Sequence, residues 1–515
     1  MNSQEPEKFN FDGLFILEMA NNHQGSMEHG KNIIAAYAPV VAAAGVRAAM
    51  KFQFRDLDTF IHPDFRDSAE YKHIPRFLGT RLTKDEFGQL VEAAREAGFI
   101  SMATPSDEAS VDLMNELGVE VVKIASASAP DWPLLEKIAA IGKPVVCSTG
   151  GMTLEEVDNL VSFFQHRGVD FALMHCVAIY PTPNYKHNLE RVRVLSERHP
   201  KITIGFSTHE DPDNTEIIKL AYAKGARVFE RHIGLPTDII KLNAYSSAPD
   251  QLERWLDSYN DAVEIIGSEA AAATPNDPDE RDALVLQMRG AYATRRIKKG
   301  QAISAEDVFF AMPLQDSQLP SGRCKPGLLA DRDYEAREAL SVAMIPAVPK
   351  NKEIIYQALH KVKAMLNLAK VSVNEEETAV TVIHPDGLEN FFSCGAVGID
   401  VIESAFGKRL LVMLPGQVLP RRYHKGKEKT FQVLSGSVDA SLAERPRIFH
   451  PGDVFSAARG VWYGFSTPKG AIIEELSLGG IDDDSYYADK TINHRPPADR
   501  ETPLVRWGRH QFDNQ

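Results

Sequence analysis

The sequence contains few cysteines and no long apolar run. Its cysteines form no C-x-x-C pair and are far apart, at Cys147, Cys176, Cys324 and Cys394. This spacing argues against a zinc ribbon and against a disulfide framework. No uncharged apolar stretch reaches the roughly 18 residues of a membrane span, and residues 1–10 are polar, unlike a secretion signal. We therefore expect a cytoplasmic protein with no membrane partner.

Clusters of positive charge are also absent. The formal net charge is −14, and no basic run is long enough to follow a phosphate backbone, so we expect no nucleic-acid partner. Hydrophobic residues make up 43% of the chain and charged residues 25%, as in folded soluble proteins. A chain of 515 residues is too long for one hydrophobic core, which predicts two or three domains.

Residues 14–266 alternate short apolar runs with amphipathic stretches of helical length, which is the pattern of a parallel α/β fold. Strands are predicted at Leu14–Glu18, Ala48–Gln53, Phe99–Thr104, Val119–Ile124, Pro144–Ser148, Phe171–His175, Ile202–Phe206 and Val228–Arg231. Helices are predicted at Lys31–Ala44, Lys84–Ala97, Ser110–Leu117, Leu134–Ile141, Leu154–His166, Thr215–Lys224 and Pro249–Ile266. Eight strands with intervening helices favour a closed (β/α)8 (TIM) barrel.

The composition changes after this region. The barrel is expected to occupy residues 1–267, and residues 268–282, rich in Ala, Pro, Asp and Glu, are expected to be a linker. Residues 283–370 contain a small segment and a predicted helix at Lys352–Leu368. From 371 to 490, short alternating β segments separated by turns predict a β-barrel or β-sandwich, followed by a tail at 491–515.

Polar residues gather at the predicted carboxyl ends of the barrel strands, where (β/α)8 enzymes hold their reacting groups. Lys51 and Lys123 end separate strands, and the hydroxyl groups of Ser126, Ser148 and Ser207 are expected near them. Together these groups could neutralise and hydrogen-bond a phosphate dianion, which predicts an anionic, phosphorylated substrate. Taken singly, each of them could instead be a helix cap or a solvated charge.

Two further features occur at the same strand ends. His209 and His232 end the seventh and eighth strands, where neutral imidazoles could hold a divalent metal with positions open for substrate and water. The alternative is a pair of histidines in a polar core. Glu18 ends the first strand near the two lysines and could act as a general acid or base, or it could form a structural ion pair.

Eight motifs, in order along residues 14–266, resemble the sialic acid synthase family. Among them are ILEMANNHQG in the first strand, AAMKFQ in the second, IGFSTHEDPDN in the seventh and VFERHI in the eighth. The resemblance implies a transferase that condenses phosphoenolpyruvate with a sugar aldehyde, an N-acylmannosamine or a related aldose. The products would be phosphate and a 3-deoxy-2-ulosonic acid of the sialic type, for surface glycan biosynthesis.

The resemblance also implies a cofactor, an assembly and residue roles. The cofactor would be a divalent metal, typically manganese with magnesium and cobalt as alternatives, bound by His209 and His232, and the protein would be a homodimer. The residues implied to be catalytic are Glu18, Lys51, Lys123 and Tyr180. Those implied to hold phosphoenolpyruvate are Lys51, Thr104, Lys123, Ser126, Ser148 and Ser207. The sugar would be contacted by Gln53 and Tyr180.

Departures from the family pattern bear on the acceptor sugar. Ala178 replaces an asparagine of the family and Ser128 replaces a glutamate. The stretch IKLNAYSSAPDQ puts Asn243 or Ser246 near the place of an aspartate that binds sugar hydroxyls, so we expect Asn243 to contact substrate. Two alternatives stay open: a phosphoenolpyruvate-dependent condensation on a phosphorylated or non-amino sugar, and a non-catalytic sugar-binding sensor.

Two weaker resemblances follow the barrel. RGAYATRRIKKGQAISAEDVFFAMPLQD resembles the first half of an antifreeze-protein-like (SAF) domain. LPGQVLPRRYHKGKEKTFQVLSG resembles a cupin, in which only His424 and Glu428 remain of the usual metal ligands while Arg422 and Tyr463 stand at the other places. For this region we expect sugar binding, regulation or subunit contact rather than metal catalysis.

Overall fold

The computed structural model describes residues 8–68, 70–207, 209–268, 277–345, 351–404, 406–443, 445–478, 484–505 and 507. The chain divides into two compact units, residues 1–275 and 276–515. Among the described residues, no helix is long and apolar enough to cross a membrane.

The first unit contains a closed barrel of eight parallel strands, which confirms the predicted fold class. Consecutive strands pair in parallel, and the eighth strand closes the barrel against the first. The strands are β1 (Leu14–Glu18), β2 (Arg47–Phe54), β3 (Ile100–Pro105), β4 (Val121–Ile124), β5 (Val145–Ser148), β6 (Phe171–Cys176), β7 (Ile204–Ser207) and β8 (Val228–His232).

Helices follow the strands, and local sequence fixes where several of them begin. Thr83 with Glu86, and Thr153 with Glu156, form capping boxes that satisfy the free amides at two helix starts. The helices are α1 (Met27–Ala44), α2 (Leu57–Phe60), α3 (His73–Gly79), α4 (Lys84–Glu96), α5 (Glu108–Glu116), α6 (Trp132–Ala140), α7 (Leu154–His166), α8 (Glu190–Arg198), α9 (Glu216–Ala223) and α10 (Pro249–Ile266).

The barrel interior has an apolar lower layer and a polar upper layer. The lower layer includes Ile16, Met102, Val146, Met174 and Val228, which belong to one buried cluster. Side chains two residues apart on a strand point to the same face. The residues two positions after this apolar layer therefore also point inward, toward the carboxyl end of the barrel.

The second unit begins with α11 (Pro278–Val285) and a small antiparallel pair, β9 (Gly290–Ala293) and β10 (Val308–Ala311). Residues far beyond β10 complete the core of this pair, among them Leu319, Tyr334 and Leu340. The region from residue 290 to 345 therefore forms one small core, although sequence patterns indicate only its first half.

The rest of the second unit is rich in antiparallel strands. Its elements are α12 (Asn351–Leu368), β11 (Ala379–Ile383), β12 (Ala396–Glu403), β13 (Phe406–Met413), β14 (Val418–His424), β15 (Lys429–Gly436), β16 (Val438–Leu442), β17 (Arg445–Phe449), β18 (Val454–Ala457), β19 (Tyr463–Ser466), β20 (Ala471–Leu478), β21 (Ser485–Tyr487), α13 (Lys490–Asn493) and β22 (Glu501–Leu504). A seven-stranded sheet has the order β18-β15-β20-β13-β12-β11-β22, and a five-stranded sheet has the order β17-β16-β19-β14-β21. Helix α12 buries its apolar face in a cluster that includes residues of the larger sheet.

Candidate active site

The polar upper layer of the barrel takes one residue from each of the eight strands. Each lies two positions after a residue of the apolar lower layer or, on β7, after Gly205. All eight line one cavity of about 170 Å³ at the carboxyl end of the barrel. They are Glu18, Lys51, Thr104, Lys123, Ser148, Cys176, Ser207 and Glu230.

Glu230 lies between the two buried lysines. Its Oε1 atom is 2.8 Å from the Lys51 ammonium, and its Oε2 atom is 3.4 Å from the Lys123 ammonium. Ser207 donates a hydrogen bond of 3.2 Å to Oε1, and Lys123 donates one of 2.6 Å to the Ser148 hydroxyl. The sequence places Glu230 at a strand end but does not predict that it joins the two lysines.

The charges of this group are set by burial and by the neighbouring charges. Burial would raise the pKa of Glu230, but the ammonium groups of Lys123 and Lys51 lower it well below the ordinary range. Burial would lower the pKa of Lys51, but the carboxylates of Glu18 and Glu230 raise it. Burial lowers the pKa of Lys123, and Glu230 opposes this effect. A buried, paired charge network is therefore already in place at the cavity floor.

Glu18 is held by donors from several sides. Its carboxylate accepts hydrogen bonds from the Ala20 amide at 2.6 Å and from Gln53 at 3.2 Å. The Lys51 ammonium lies 2.5 Å from Oε2. Gln53 in turn accepts a hydrogen bond of 2.9 Å from Arg55, so Glu18 and Gln53 have fixed positions in the cavity wall.

His209 and His232 lie side by side in the cavity, with ring centroids 5.2 Å apart. Burial is the largest cause that lowers the pKa of each imidazole, to about 3. Both rings are therefore neutral near pH 7, the form that binds metals. His209 uses Nδ1 to donate to the Val177 carbonyl at 2.9 Å, which leaves Nε2 for a ligand.

His209 and His232 are arranged so that they could bind one divalent metal ion together. Their spacing lets both imidazoles reach one ion, and the cavity leaves room for oxygen ligands from substrate or water. Among the described residues, no group of three or more His, Cys, Asp or Glu side chains is arranged to hold a metal. His209 and His232 would supply two nitrogen ligands and leave positions open for oxygen ligands.

The cavity also has hydroxyl groups for an oxyanion. The Thr104 hydroxyl is buried without a hydrogen-bond partner among the described residues, and it lines the cavity. The Ser126 hydroxyl accepts a hydrogen bond of 3.0 Å from the Gly150 amide. A Cβ atom at Gly150 would lie 2.6 Å from that hydroxyl, so this close approach requires glycine.

The mouth of the cavity contains Tyr180, which the sequence resemblance indicates, and two residues that it does not indicate. Tyr180 is about half exposed, and its ring centroid lies 4.0 Å from that of His209 and 5.2 Å from that of Tyr245. Arg76 and Tyr245 also line the cavity. They come from short α3 and from a loop, where no strand or helix periodicity fixes their positions in advance.

Asn243 and Ser246, singled out in the sequence, are not brought to the cavity lining. Asn243 accepts a hydrogen bond of 3.1 Å from the Tyr245 amide, and Tyr245 from the same loop lines the cavity instead. The Ser246 hydroxyl is buried and accepts a hydrogen bond of 3.0 Å from Asn22. Every other predicted site residue of the barrel lies on the cavity wall.

In the second unit, the His424 ring is occupied by protein partners. It contacts Asp484 at 2.5 Å through Nδ1 and the Tyr463 hydroxyl at 2.7 Å through Nε2. The side chain of Glu428 is exposed. Lys429 forms a buried ion pair of 2.6 Å with Glu475, so the neighbouring charges are paired within the protein.

Comparisons with known proteins agree with this architecture. The NeuB family matches residues 39–271. An uncharacterized protein of Methanocaldococcus jannaschii is 31% identical over 58% of this chain and 85% of its own length. The N-acetylneuraminate-9-phosphate synthase of Drosophila melanogaster is 34% identical over 44% of this chain and 61% of its own.

A solved structure is closer in sequence than either of these two. The structure of spore coat polysaccharide biosynthesis protein E from Chromobacterium violaceum is 42% identical to this chain, with a TM-score of 0.62. It aligns with 64% of this chain and 98% of its own. Sequence and fold similarity thus extend over nearly the whole of that relative.

Proposed function

The chain belongs to the NeuB family of sialic acid synthases, and from this we propose that it condenses phosphoenolpyruvate with a sugar aldehyde. The product is a 3-deoxy-2-ulosonic acid of the sialic type, and phosphate is released. The observation that carries the proposal is the buried Lys51–Glu230–Lys123 group beneath a ring of hydroxyls at the barrel mouth.

Phosphoenolpyruvate fits the floor of the cavity. The ammonium groups of Lys51 and Lys123 supply positive charge in a site with little water, where charge-assisted hydrogen bonds to phosphate and carboxylate are strong. The hydroxyls of Thr104, Ser126, Ser148 and Ser207 supply further donors. The Thr104 hydroxyl supports this assignment because it is a buried donor with no hydrogen-bond partner in the part of the chain that the structure describes.

The reaction forms a C–C bond at C3 and a C–O bond between water and C2, and it breaks the C–O bond between C2 and the phosphate. C3 of phosphoenolpyruvate attacks the aldehyde carbon, and positive charge develops at C2. Glu18, which lines the cavity, would stabilise that charge and accept a proton from the water that adds to C2. The alkoxide formed from the aldehyde takes up one proton of that water, and the other leaves with the phosphate. The tetrahedral species then expels phosphate by C–O cleavage, which leaves the 2-keto acid.

Family members use a divalent metal, and His209 and His232 are the residues that would hold it here, with manganese as the proposed ion. When bound, the metal supplies a Lewis acid that polarises the aldehyde oxygen. The two imidazoles stay neutral and lie in the cavity beside Tyr180, whose ring is proposed to position the sugar. The enzyme is thus proposed to be a phosphoenolpyruvate-dependent transferase that forms C–C bonds.

Roles outside the barrel follow the sequence resemblances. We propose a SAF-like core at residues 290–345, a cupin-like domain in the strands after 371, and a homodimer. The paired state of His424 and Lys429 supports a role of the cupin-like domain in sugar binding, regulation or subunit contact rather than in metal catalysis.

Phosphate release from phosphoenolpyruvate tests this function. Purified protein with manganese is assayed against mannosamine derivatives, free hexoses and pentoses, and sugar phosphates. We expect release that depends on one acceptor class and is lost on chelation of the metal.

Glu18→Gln should lower turnover by roughly 10²-fold while phosphoenolpyruvate still binds. The exposed control Glu28→Gln should behave as wild type. Phosphoenolpyruvate binding without turnover on any acceptor would instead favour a sugar-binding sensor.

A further inference from the structure

Arg76 is a cation at the mouth of the cavity. It lies in α3, within the segment 55–83 that connects β2 to α4. Its side chain lines the same cavity as Gln53 and Tyr180, while the residue as a whole is exposed to solvent. Arg76 can therefore contact a bound molecule from the solvent side without the cost of burying an arginine.

The other arginines of this segment have partners. Arg55 donates to Gln53 and stacks on Phe77 at 4.1 Å, and Arg66 and Arg81 both pair with Asp58. No hydrogen bond or ion pair of the Arg76 guanidinium is found within the described ranges of the chain. Its five donors are available to a ligand.

Arg76 lies on the Gln53 side of the cavity. Its neighbour in α3, Phe77, is stacked by Arg55 at 4.1 Å, and Arg55 donates a hydrogen bond of 2.9 Å to Gln53. Gln53 and Arg76 line the same cavity. On the proposed function Gln53 contacts the sugar, so Arg76 is near the acceptor sugar.

The cavity offers Arg76 no carboxylate of its own. Glu18 and Glu230 both contact the Lys51 ammonium, and no carboxylate of the described ranges pairs with Arg76. A guanidinium presents parallel donors that match the oxygens of a phosphate or carboxylate. We propose that Arg76 binds an anionic group on the acceptor aldose, so that the preferred acceptor is a sugar phosphate or a sugar acid. This inference rests on the proposed function.

Kinetics with matched acceptors test this inference. Each neutral aldose is compared with its terminal phosphate and with the corresponding uronic acid, at saturating phosphoenolpyruvate. The wild type should prefer one of the two anionic forms, which identifies the anion. Arg76→Ala should raise the KM for that acceptor by roughly 10- to 100-fold, the range for loss of a hydrogen bond to a charged group. The KM for phosphoenolpyruvate should change little.

Two further variants control for charge and geometry. Lys72→Ala removes one exposed cation from the same segment and should leave both KM values unchanged. Arg76→Lys keeps the charge but loses the paired donors, so its KM for the acceptor should lie between those of wild type and Arg76→Ala.

Either of two results would overturn the inference while leaving the proposed function intact. One is turnover that prefers neutral acceptors and is unchanged in Arg76→Ala. The other is a rise in the KM for phosphoenolpyruvate in place of that for the acceptor. Absence of turnover by the wild type on every acceptor would instead contradict the proposed function itself.

Discussion

His209 and His232 show how burial prepares single residues for a metal. In water an imidazole is partly protonated near pH 6.5, and a protonated ring cannot ligate. Here burial lowers the pKa of both rings to about 3. The bond from His209 to the Val177 carbonyl also fixes which nitrogen faces the cavity. The protein therefore maintains two neutral ligands throughout the physiological pH range.

His232→Ala should abolish tight manganese binding, because one imidazole alone leaves the ion with a single protein ligand. Binding is measured by electron paramagnetic resonance of free manganese, which needs no turnover. The exposed residue His166, at the end of α7, provides the control: His166→Ala should bind manganese as wild type does. Unchanged manganese affinity in His232→Ala would remove this residue from the proposed metal site.

Sequence alone could predict most of the residues that line the cavity, and the exceptions have a common cause. Residues such as Lys51 and Lys123 end strands, and strand ends can be recognised from an apolar run followed by a polar residue. Arg76 and Tyr245 come from connecting segments, where no periodicity fixes direction. The role of Glu230 as the link between two lysines depends on closure of the barrel, which no local pattern encodes.

At the level of elements, the barrel strands were predictable because each combines apolar residues with a turn signal on either side. All eight predicted strands end within two residues of those observed. Helix α8 was not predicted: it has nine residues, of which only Val192 and Leu195 are buried. An amphipathic pattern of two residues is too weak to indicate a helix.

The packing between β6, β7 and β8 depends on Gly205. A Cβ atom there would lie 2.3 Å from the Met174 sulfur and 2.5 Å from the Val228 carbonyl oxygen. Gly205→Ala should therefore lower the free energy of unfolding of the barrel by roughly 1–3 kcal/mol, measured by urea denaturation. Gly79→Ala is the control, because a Cβ atom at Gly79 meets nothing within 4 Å. Equal stability of the two variants would contradict the described interior packing.

At the scale of the whole molecule, both units bury neutral histidines. Burial is the largest cause that lowers the pKa of His23 in the first unit and of His424 in the second, each to about 4. Unfolding exposes these rings and restores a pKa near 6.5. Between pH 6.5 and 4 the unfolded chain therefore binds more protons than the folded chain, and stability falls as the pH falls.

Urea unfolding at a series of pH values tests this expectation. The midpoint should be constant above about pH 7 and should decrease progressively toward pH 4, with each buried histidine contributing up to about 1.4 kcal/mol per pH unit. His424→Gln removes one titrating group and should make the dependence shallower for the second unit. The exposed control His166→Gln should not change it. An unchanged slope in His424→Gln would show that this ring titrates normally.

The two units differ in how well the sequence predicts their structure. The barrel is recognisable because its motifs follow one another in order, whereas the core at residues 290–345 is assembled from isolated residues such as Leu319 and Tyr334. Contacts between such distant positions leave no local periodicity. The buried pair of Lys429 and Glu475 is equally hidden in sequence, because its members lie on different strands.

The central claim is that the barrel joins C3 of phosphoenolpyruvate to an aldehyde carbon and releases phosphate by C–O cleavage. The most direct test uses phosphoenolpyruvate with heavy oxygen in the bridge between C2 and phosphorus, together with an acceptor isotopically labelled at C1. The account predicts a new bond from C3 to the labelled carbon, seen by nuclear magnetic resonance, and heavy oxygen in the released phosphate. Phosphate without heavy oxygen, or phosphate released with no such C–C bond, would contradict it.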